Sequence, residues 1–183
     1  VGIAPGAFRK DAQLLADWID TPLGAMVAVA CQHKLHLLEF ADRKALPREV
    51  AKLQKRQPGG IGFGRPAVID QAAEELQAYF AGKAARFETP LAYHGTAFES
   101  EVWHALRQIP AGETRSYGEL ARSLGRPGSS RAVARANGSN QIAVMIPCHR
   151  VLGADGTLTG YGGGLWRKQR LIEIERELSM ASA

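Results

Sequence analysis

A cysteine and a histidine stand side by side at positions 148 and 149, within the segment MIPCHRV. A cysteine acts as a nucleophile only as the thiolate, and a free thiol is mostly protonated at neutral pH, so Cys148 needs a base. His149 is the nearest candidate. Adjacent side chains of an extended segment point in opposite directions, so we expect a bridging water or an irregular backbone after Pro147 to connect the two.

The last predicted helix, LWRKQRLIEIEREL, supplies a candidate third member. Leu171, Ile174 and Leu178 repeat at helical spacing, and Glu175 lies on the same stripe. A buried carboxylate is costly unless a donor meets it, and histidine is a suitable donor. These residues suggest a Cys–water–His–Glu relay. The alternative is that Cys148 is a small core residue and that a register error of one residue turns Glu175 outward.

Arginine is concentrated in the segment 115–150, which contains six arginines, one glutamate and no lysine. The guanidinium group matches phosphate oxygens, so this excess favours a nucleic-acid partner. A solvated helix face is the alternative for any run of charge.

Two short helices are predicted inside this segment. YGELARSL follows a capping pattern at Ser116, and RAVARAN follows Ser129 or Ser130 after a Gly/Pro turn. This spacing predicts a helix-turn-helix. Its second helix carries Arg131 and Arg135 on one face and small alanines on the rest, which permit close approach to a groove.

The other elements are predicted from periodicity and punctuation. TPLGAMVAVA and KLHLLEF alternate like the strands of a hairpin, and LPREVAKLQKRQ reads as a helix ending before Pro58. Asp70 is predicted to cap the helix QAAEELQAYFAG, and Thr96 a helix that ends before Pro110. QIAVMIP is predicted to be a buried strand that delivers Cys148, and GADGTLTGYGGG a loop or tight hairpin.

Composition indicates an ordinary water-soluble protein of two compact pieces, with 183 residues, 45% hydrophobic and 22% charged. No apolar run is long enough to span a bilayer and no secretory start is visible, so we expect a cytoplasmic protein. The two cysteines, Cys31 and Cys148, are far apart and form no C-x-x-C pair, which argues against a disulfide framework and a zinc site.

Several segments together closely resemble the O6-alkylguanine-DNA alkyltransferases. They are GTAFESEVWHALRQIPAGETRSYGELA, SSRAVARANGSN, IPCHRV and GTLTGYGGGLWRK. The resemblance covers residues 95–178 densely, and 20–90 loosely through DTPLG and LQAYFAG. It implies an α/β protein, with a ribonuclease-H-like α/β domain at 20–92 and a mostly helical, DNA-binding catalytic domain with a helix-turn-helix at 93–183.

The resemblance also implies an activity. Members of this family repair double-stranded DNA by moving an alkyl group from O6 of guanine, and more slowly from O4 of thymine, to their own cysteine. The transfer is irreversible and self-inactivating, and it needs no cofactor. By position Cys148 is the acceptor, His149 the base acting through water and Glu175 the residue that orients it. Asn140 matches the hinge asparagine that supports the turn before the cysteine.

Roles toward DNA are carried over in the same way. The family places its recognition helix in the minor groove and flips the damaged nucleotide out of the duplex. Arg131 matches the arginine that fills the vacated space, and Tyr117 the tyrosine that helps rotate the phosphate. Independently of the resemblance, we expect Tyr117 to protonate the departing guanine. The remaining residues implied to contact DNA or the flipped base are Ala132, Arg135, Val151, Tyr161 and Gly162.

The sequence departs from the family at three places. Gly162 stands where some relatives have a serine, so a hydroxyl is missing, and Asn137 stands where some have an apolar residue. Certain animal members bind zinc in the first domain, and although Cys31 and His36 fall near two such positions, the full ligand set is missing, so no metal is predicted.

Residues 1–19 are interpreted as an N-terminal extension. Within it, GIAPGAFRK at 2–10 resembles the end of an arabinose-regulator-type helix-turn-helix domain. In bacterial adaptive-response regulators such a domain precedes an alkyltransferase module, which implies a transcriptional role. The protein is otherwise expected to be a monomer.

Two other functions are the alternatives. A thiol hydrolase built on Cys148, His149 and Glu175 would turn over and need no DNA. A non-transferring sensor of alkylated guanine would bind DNA, but sensors of that kind replace the cysteine that this chain retains.

Overall fold

The computed structural model describes residues 13–57 and 59–181, which divide into two compact units. The first unit holds the described residues up to Gln77 together with Arg86–Ala92, and the second holds Ala78–Ala85 and the described residues from Tyr93 onward. The predicted α/β class is confirmed. The segment 2–10 lies outside the described residues, and the domain boundaries drawn from the sequence stay predictions.

The first unit is a four-stranded sheet with helices. Its elements are β1 (Leu14–Ile19), β2 (Met26–Ala30), β3 (Leu35–Phe40), α1 (Leu46–Arg56), β4 (Ile61–Phe63) and α2 (Ala67–Phe80), of which the last turn, from Ala78, belongs to the second unit. The strand order is β3-β2-β1-β4, with β1 and β4 parallel and the other pairs antiparallel. The predicted hairpin is β2–β3. Leu14, Val29, Leu37 and Ile61 of the sheet pack with Leu46 and Leu53 of α1 in one apolar core.

Two sequence interpretations need correction here. The predicted extension includes residues 14–19, but these form a strand paired on both sides. Asp17 and the exposed Trp18 interrupt its buried residues, so the strand lacks a clear apolar pattern. Asp70 does not cap α2, because the helix begins earlier, at Ala67. Pro66 suits the start of a helix, and Asp70 lies in the first turn, where it accepts a hydrogen bond from Arg65 at 2.6 Å.

The second unit is mostly helical. Its elements are α3 (Ala97–Arg107), β5 (Arg115–Ser116), α4 (Tyr117–Ser123), α5 (Ser130–Gly138), a 3-10 turn (Cys148–Arg150), β6 (Val151–Leu152) and α6 (Leu165–Ala181). The capping boxes predicted at Thr96 and Ser116 are both present, each with a backbone N–H donating to the side-chain hydroxyl at 3.1 Å. Ser129 is the residue before α5. The glycine-rich segment before α6 is a loop, as predicted.

The predicted strand QIAVMIP is wrong. The segment is fully buried from Ile142 onward but folds as consecutive turns, with Val144 at a φ of 71°. A β-branched residue at positive φ is unusual and costs about 1–3 kcal/mol, so the surrounding structure must impose it. The apolar run therefore reports burial and not extended backbone.

No helix within residues 13–57 or 59–181 has the length and apolar character that a transmembrane span requires.

Candidate functional site

The carboxylate of Glu175 is the centre of a buried hydrogen-bond cluster. Glu175 is 1% exposed and lies on the buried face of α6 with Leu171 and Leu178, so the register read from the sequence is correct. Its Oε1 is 2.7 Å from Nε2 of His149. Arg150 donates from Nε to Oε2 at 2.8 Å and from Nη2 to Oε1 at 2.9 Å.

This cluster keeps Glu175 ionised. Burial alone would raise the pKa of the carboxyl, but the charge of His149 and the hydrogen bonds from His149 and Arg150 outweigh it and hold the pKa well below its usual range. The hydroxyl of Tyr79 donates to the same carboxylate. Arg150 is anchored in turn, because its Nη1 donates to the backbone carbonyl of Ile109.

Cys148 and His149 lie in the 3-10 turn that follows Pro147. The backbone is therefore irregular here, which is one of the two alternatives predicted to connect the two side chains. Cys148 is buried and His149 is fully buried. With Nε2 directed at Glu175, the other ring nitrogen of His149, Nδ1, has no hydrogen-bond partner within the part of the chain that the structure describes. The imidazole therefore has one nitrogen fixed by a carboxylate and one left to exchange a proton.

Asn140 holds the turns that precede the cysteine. Its Nδ2 donates to the carbonyl of Ile146 at 2.9 Å and lies 3.2 Å from Sγ of Cys148. Its Oδ1 accepts from the backbone N–H of Ile142 at 2.9 Å. One buried amide thus bonds to both ends of the segment that contains Val144 and also contacts the thiol.

Tyr117 is the first residue of α4. The strands β5 and β6 pair in parallel, with Arg115 opposite Val151, and this pairing brings the start of α4 to the end of the cysteine turn. Tyr117 is half-buried. Burial raises the pKa of its phenol, and the charge of Cys148 acts in the same direction, while hydrogen bonds from Thr159 and Asn137 lower it.

The glycine-rich loop supplies further contacts. Thr159 accepts a hydrogen bond through its carbonyl from Nζ of Lys168, a fully buried lysine of α6, at 2.7 Å. Burial lowers the pKa of Lys168, and the charge of Cys148 opposes that effect. Tyr161 is half-buried and Gly162 exposed in the same loop.

Sequence reasoning missed Tyr79 and Arg150 as partners of Glu175, and Lys168 as a buried lysine on which the charge of Cys148 acts. Lys168 lies on the same helical stripe as Leu171 and Glu175, a signal that could have found it. Tyr79 has no comparable signal, because it is 96 residues from Glu175 in the chain.

The helix α5 carries the exposed arginines. Arg131 and Arg135 are exposed, Ala132 is half-buried, and Val133, Ala136 and Asn137 face the core. Trp103 of α3 donates to the carbonyl of Ala136 at 2.8 Å, and Asn137 donates to the carbonyl of Cys148 at 3.3 Å. The arginine-bearing helix is therefore bonded directly to the backbone of the cysteine.

The excess of arginine in 115–150 is not one continuous patch. Arg150 is buried against Glu175, and Arg115 and Arg126 are paired with Glu113 and Glu101. The sequence could not separate these cases because an arginine beside a buried acid and one facing solvent have the same charge. No group of three or more histidine, cysteine or acidic residues suited to a metal ion occurs among the described residues.

Family models match both parts of the chain. Residues 14–93 match the 6-O-methylguanine DNA methyltransferase ribonuclease-like domain, and residues 97–177 match the DNA binding domain of the same family.

Individual relatives agree with this match. A methylated-DNA–protein-cysteine methyltransferase of Mycolicibacterium paratuberculosis is 45% identical over 90% of this chain and 93% of its own. The one from Shigella flexneri is 41% identical over 89% of this chain and 96% of its own. Among solved structures, Mycobacterium tuberculosis OGT in complex with DNA is 41% identical, with a TM-score of 0.76, over 88% of this chain and 92% of that one.

Proposed function

Because the chain belongs to the 6-O-methylguanine DNA methyltransferase family, we propose that it repairs DNA by direct alkyl transfer to its own Cys148. The alkyl group comes from O6 of guanine and, less efficiently, from O4 of thymine. The observation that carries the proposal is the buried pair of His149 and Glu175, 2.7 Å apart, in the turn that holds Cys148.

The proton path follows from the two nitrogens of His149. Glu175 fixes Nε2 as the protonated nitrogen, so Nδ1 is the acceptor and takes the thiol proton of Cys148 through a water molecule. Asn140 contacts Sγ through its amide N–H, which favours the thiolate. Cys148 is then a nucleophile although it lies in an apolar turn.

The transfer is an in-line displacement. A bond forms between Sγ and the alkyl carbon while the bond from that carbon to O6 breaks, and the electron pair passes to guanine. Tyr117 protonates the departing base, because its raised pKa keeps the phenol protonated until the charge develops. The product is a thioether, which the groups assigned to the site cannot cleave, so each molecule acts once.

The helix α5 enters the minor groove of the DNA. Arg131 fills the space of the flipped nucleotide and Arg135 contacts the backbone, while the small Ala132 lets the helix approach closely. The flipped guanine is read by backbone groups of Cys148 and Val151.

Tyr161 lines the pocket, and Gly162 offers a backbone N–H where some relatives add a hydroxyl. Tyr117 also helps to rotate the phosphate. We propose further that the protein is a cytoplasmic monomer and that α4 and α5 form a helix-turn-helix. A transcriptional role, as part of a larger regulator, is proposed with them.

The decisive experiment is intact-mass analysis after incubation with duplex DNA that contains one O6-methylguanine. We expect a gain of one CH2 group per protein, located on Cys148 by peptide mapping and lost in Cys148→Ser. Repeated product release without a mass gain would indicate a hydrolase and overturn the proposal. A wild-type protein that binds the duplex with neither a gain nor a product would overturn it too.

A second experiment tests the DNA face. Arg131→Ala should slow repair of the duplex far more than reaction with free O6-benzylguanine, because the free base needs no flipping. Arg170→Ala is the matched control, since Arg170 is an arginine of α6 that pairs with Glu173. Equal losses on both substrates in Arg131→Ala would remove its assigned role.

A further inference from the structure

Tyr79 is a buried hydroxyl that the proposed mechanism does not use. It lies in the last turn of α2, its side chain is fully buried, and its hydroxyl donates to Oε1 of Glu175 at 2.9 Å. The ring packs edge-on against Phe80, with ring centroids 5.2 Å apart. A buried phenol usually finds a hydrogen-bond partner, and here that partner is the carboxylate assigned to the relay.

The same carboxylate oxygen receives three donors. Oε1 is contacted by His149 at 2.7 Å and by Arg150 and Tyr79 at 2.9 Å each, whereas Oε2 accepts from Arg150 at 2.8 Å. Each donor disperses part of the negative charge of Glu175. The more charge is dispersed, the less remains to stabilise a protonated His149.

Tyr79 suits this role because it stays a donor. Burial raises the pKa of its phenol well above the ordinary value, and the charge of Glu175 raises it further. Its hydroxyl proton therefore remains in place over the range in which histidine titrates. Unlike Arg150, it adds a hydrogen bond without adding charge.

We infer that Tyr79 is a positioning residue of the relay, which fixes Oε1 of Glu175 and limits the basicity of His149, so that Nδ1 is unprotonated and able to accept the thiol proton. This inference rests on the proposed function. The titratable groups bonded to the carboxylate of Glu175 are Tyr79 from α2 and His149 and Arg150 from the 3-10 turn. Cys148 precedes His149 in that turn.

The position of Tyr79 in the chain gives the inference a second consequence. Tyr79 falls within the part that matches the ribonuclease-like domain, 14–93, whereas Glu175 falls within the DNA binding domain, 97–177. The structure groups Ala78–Ala85 with the second unit, so the end of α2 is part of the site's own unit. The ribonuclease-like portion of the sequence thus supplies a group to the chemistry and is more than a scaffold.

The test compares Tyr79→Phe with Tyr93→Phe. Both remove one phenol hydroxyl from the second unit, but the hydroxyl of Tyr93 pairs with Arg107 and not with the relay. In full-length protein labelled with 15N-histidine, the titration midpoint of His149 should rise by about one pH unit in Tyr79→Phe and stay unchanged in Tyr93→Phe. His149→Gln identifies the resonance among the five histidines.

The pH dependence of the transfer rate is a second measurement. It would not change in Tyr79→Phe if the role of Tyr79 were purely structural. The acid limb of the pH–rate profile for free O6-benzylguanine should shift upward by the same amount as the His149 midpoint. A uniform loss of rate at every pH with an unchanged midpoint would overturn the inference. So would a Tyr79→Phe profile that superimposes on the wild type.

A measurement on the unmodified chain covers the case in which Tyr79→Phe does not fold. In protein labelled with 13C-tyrosine, the Cζ resonance of Tyr79 should show no ionisation up to about pH 10. Ionisation at the ordinary phenol value would show that the hydroxyl does not hold a carboxylate. The proposed function fails on a separate result, which is the absence of a mass gain on Cys148 in the wild-type protein. That result does not depend on the titration of His149.

Discussion

Each compact unit buries a glutamate beside an arginine, and the two glutamates differ in charge. In the first unit Glu39 accepts from Arg43 and from the backbone N–H of Phe40, and Arg43 is shared with a second buried carboxylate, Glu49, at 3.3 Å. Burial dominates there and raises the pKa of Glu39 to about 7, although Arg43 lowers it. In the second unit the pKa of Glu175 is held far below its usual range.

The difference lies in the ratio of donors to carboxylates. Arg43 serves two acids, whereas Glu175 has His149, Arg150 and Tyr79 to itself within the cluster. Burial by itself therefore does not set the charge of a carboxyl group. A carboxylate that must stabilise an imidazolium has to stay ionised, while a structural one can take up a proton at little cost.

The largest expected effect is on stability. Arg150→Met should lower the free energy of unfolding by about 3–5 kcal/mol, because it leaves an ionised carboxylate buried without its guanidinium. Arg43→Met should lower the free energy of unfolding by less at about pH 6, because Glu39, with a pKa of about 7, binds a proton there and is not left as an unpaired buried charge. Urea denaturation at one pH measures both, and equal losses would mean that the two clusters are alike.

The next effect is on transfer. Glu175→Gln keeps the shape of the side chain but removes the charge that stabilises protonated His149, so the rate with free O6-benzylguanine should fall roughly 100-fold. Glu39→Gln is the matched control and should transfer at the wild-type rate. Single-turnover kinetics measure both rates. A Glu175→Gln protein with nearly full activity would argue against a relay.

Stability should also respond to pH in opposite directions in the two units. The folded pKa of Glu39, about 7, exceeds its ordinary value of 4.5, so its contribution is full below 4.5 and is lost as the pH rises through 7. The contribution of Glu175 is instead present above 4.5 and lost as the pH falls below it.

The measurement is the change in unfolding free energy between about pH 5 and about pH 8. Glu39→Gln should remove about 2 kcal/mol of the decline that wild type shows over this interval. An identical decline in both proteins would mean that Glu39 remains ionised throughout.

The smallest expected effect tests whether the number of carboxylates that share one arginine sets the pKa of Glu39. Glu49→Gln leaves Arg43 to Glu39 alone, and the charge of Glu49 is a minor cause of the raised pKa. The pH at which stability declines should therefore move down by less than about one unit. The same denaturation series measures this shift, and an upward movement would contradict the shared-arginine explanation.

The site was predictable where local patterns carry the chemistry. The helical stripe with Leu171 and Leu178 placed Glu175 inside. An irregular backbone after Pro147 was one of the two alternatives that could connect Cys148 with His149, and the 3-10 turn is that alternative. The cluster that charges the carboxylate was not predictable. Arg150 looked like one more member of a DNA-binding arginine run, and nothing in a sequence distinguishes an arginine that packs against a buried acid.

The fold shows the same division. The hairpin of β2 and β3 and the two capping boxes follow from alternation and from side-chain spacing, which are local. The strand β1 was not predicted, and the strand predicted at QIAVMIP was wrong. Both cases depend on contacts with residues that are distant in the sequence. Apolar residues record burial, but they do not report that Val144 takes a positive φ or that Asn140 bonds to the segment on both sides of it.

The sequence by itself determined the local elements, the inward register of Glu175 and the motifs that identify the family. The tertiary structure decided which groups meet that carboxylate, since Tyr79 and Arg150 come to it from 96 and 25 residues away in the chain. The physical reason is that the charge of a buried acid depends on the desolvation and the donors around it, and long-range packing supplies both.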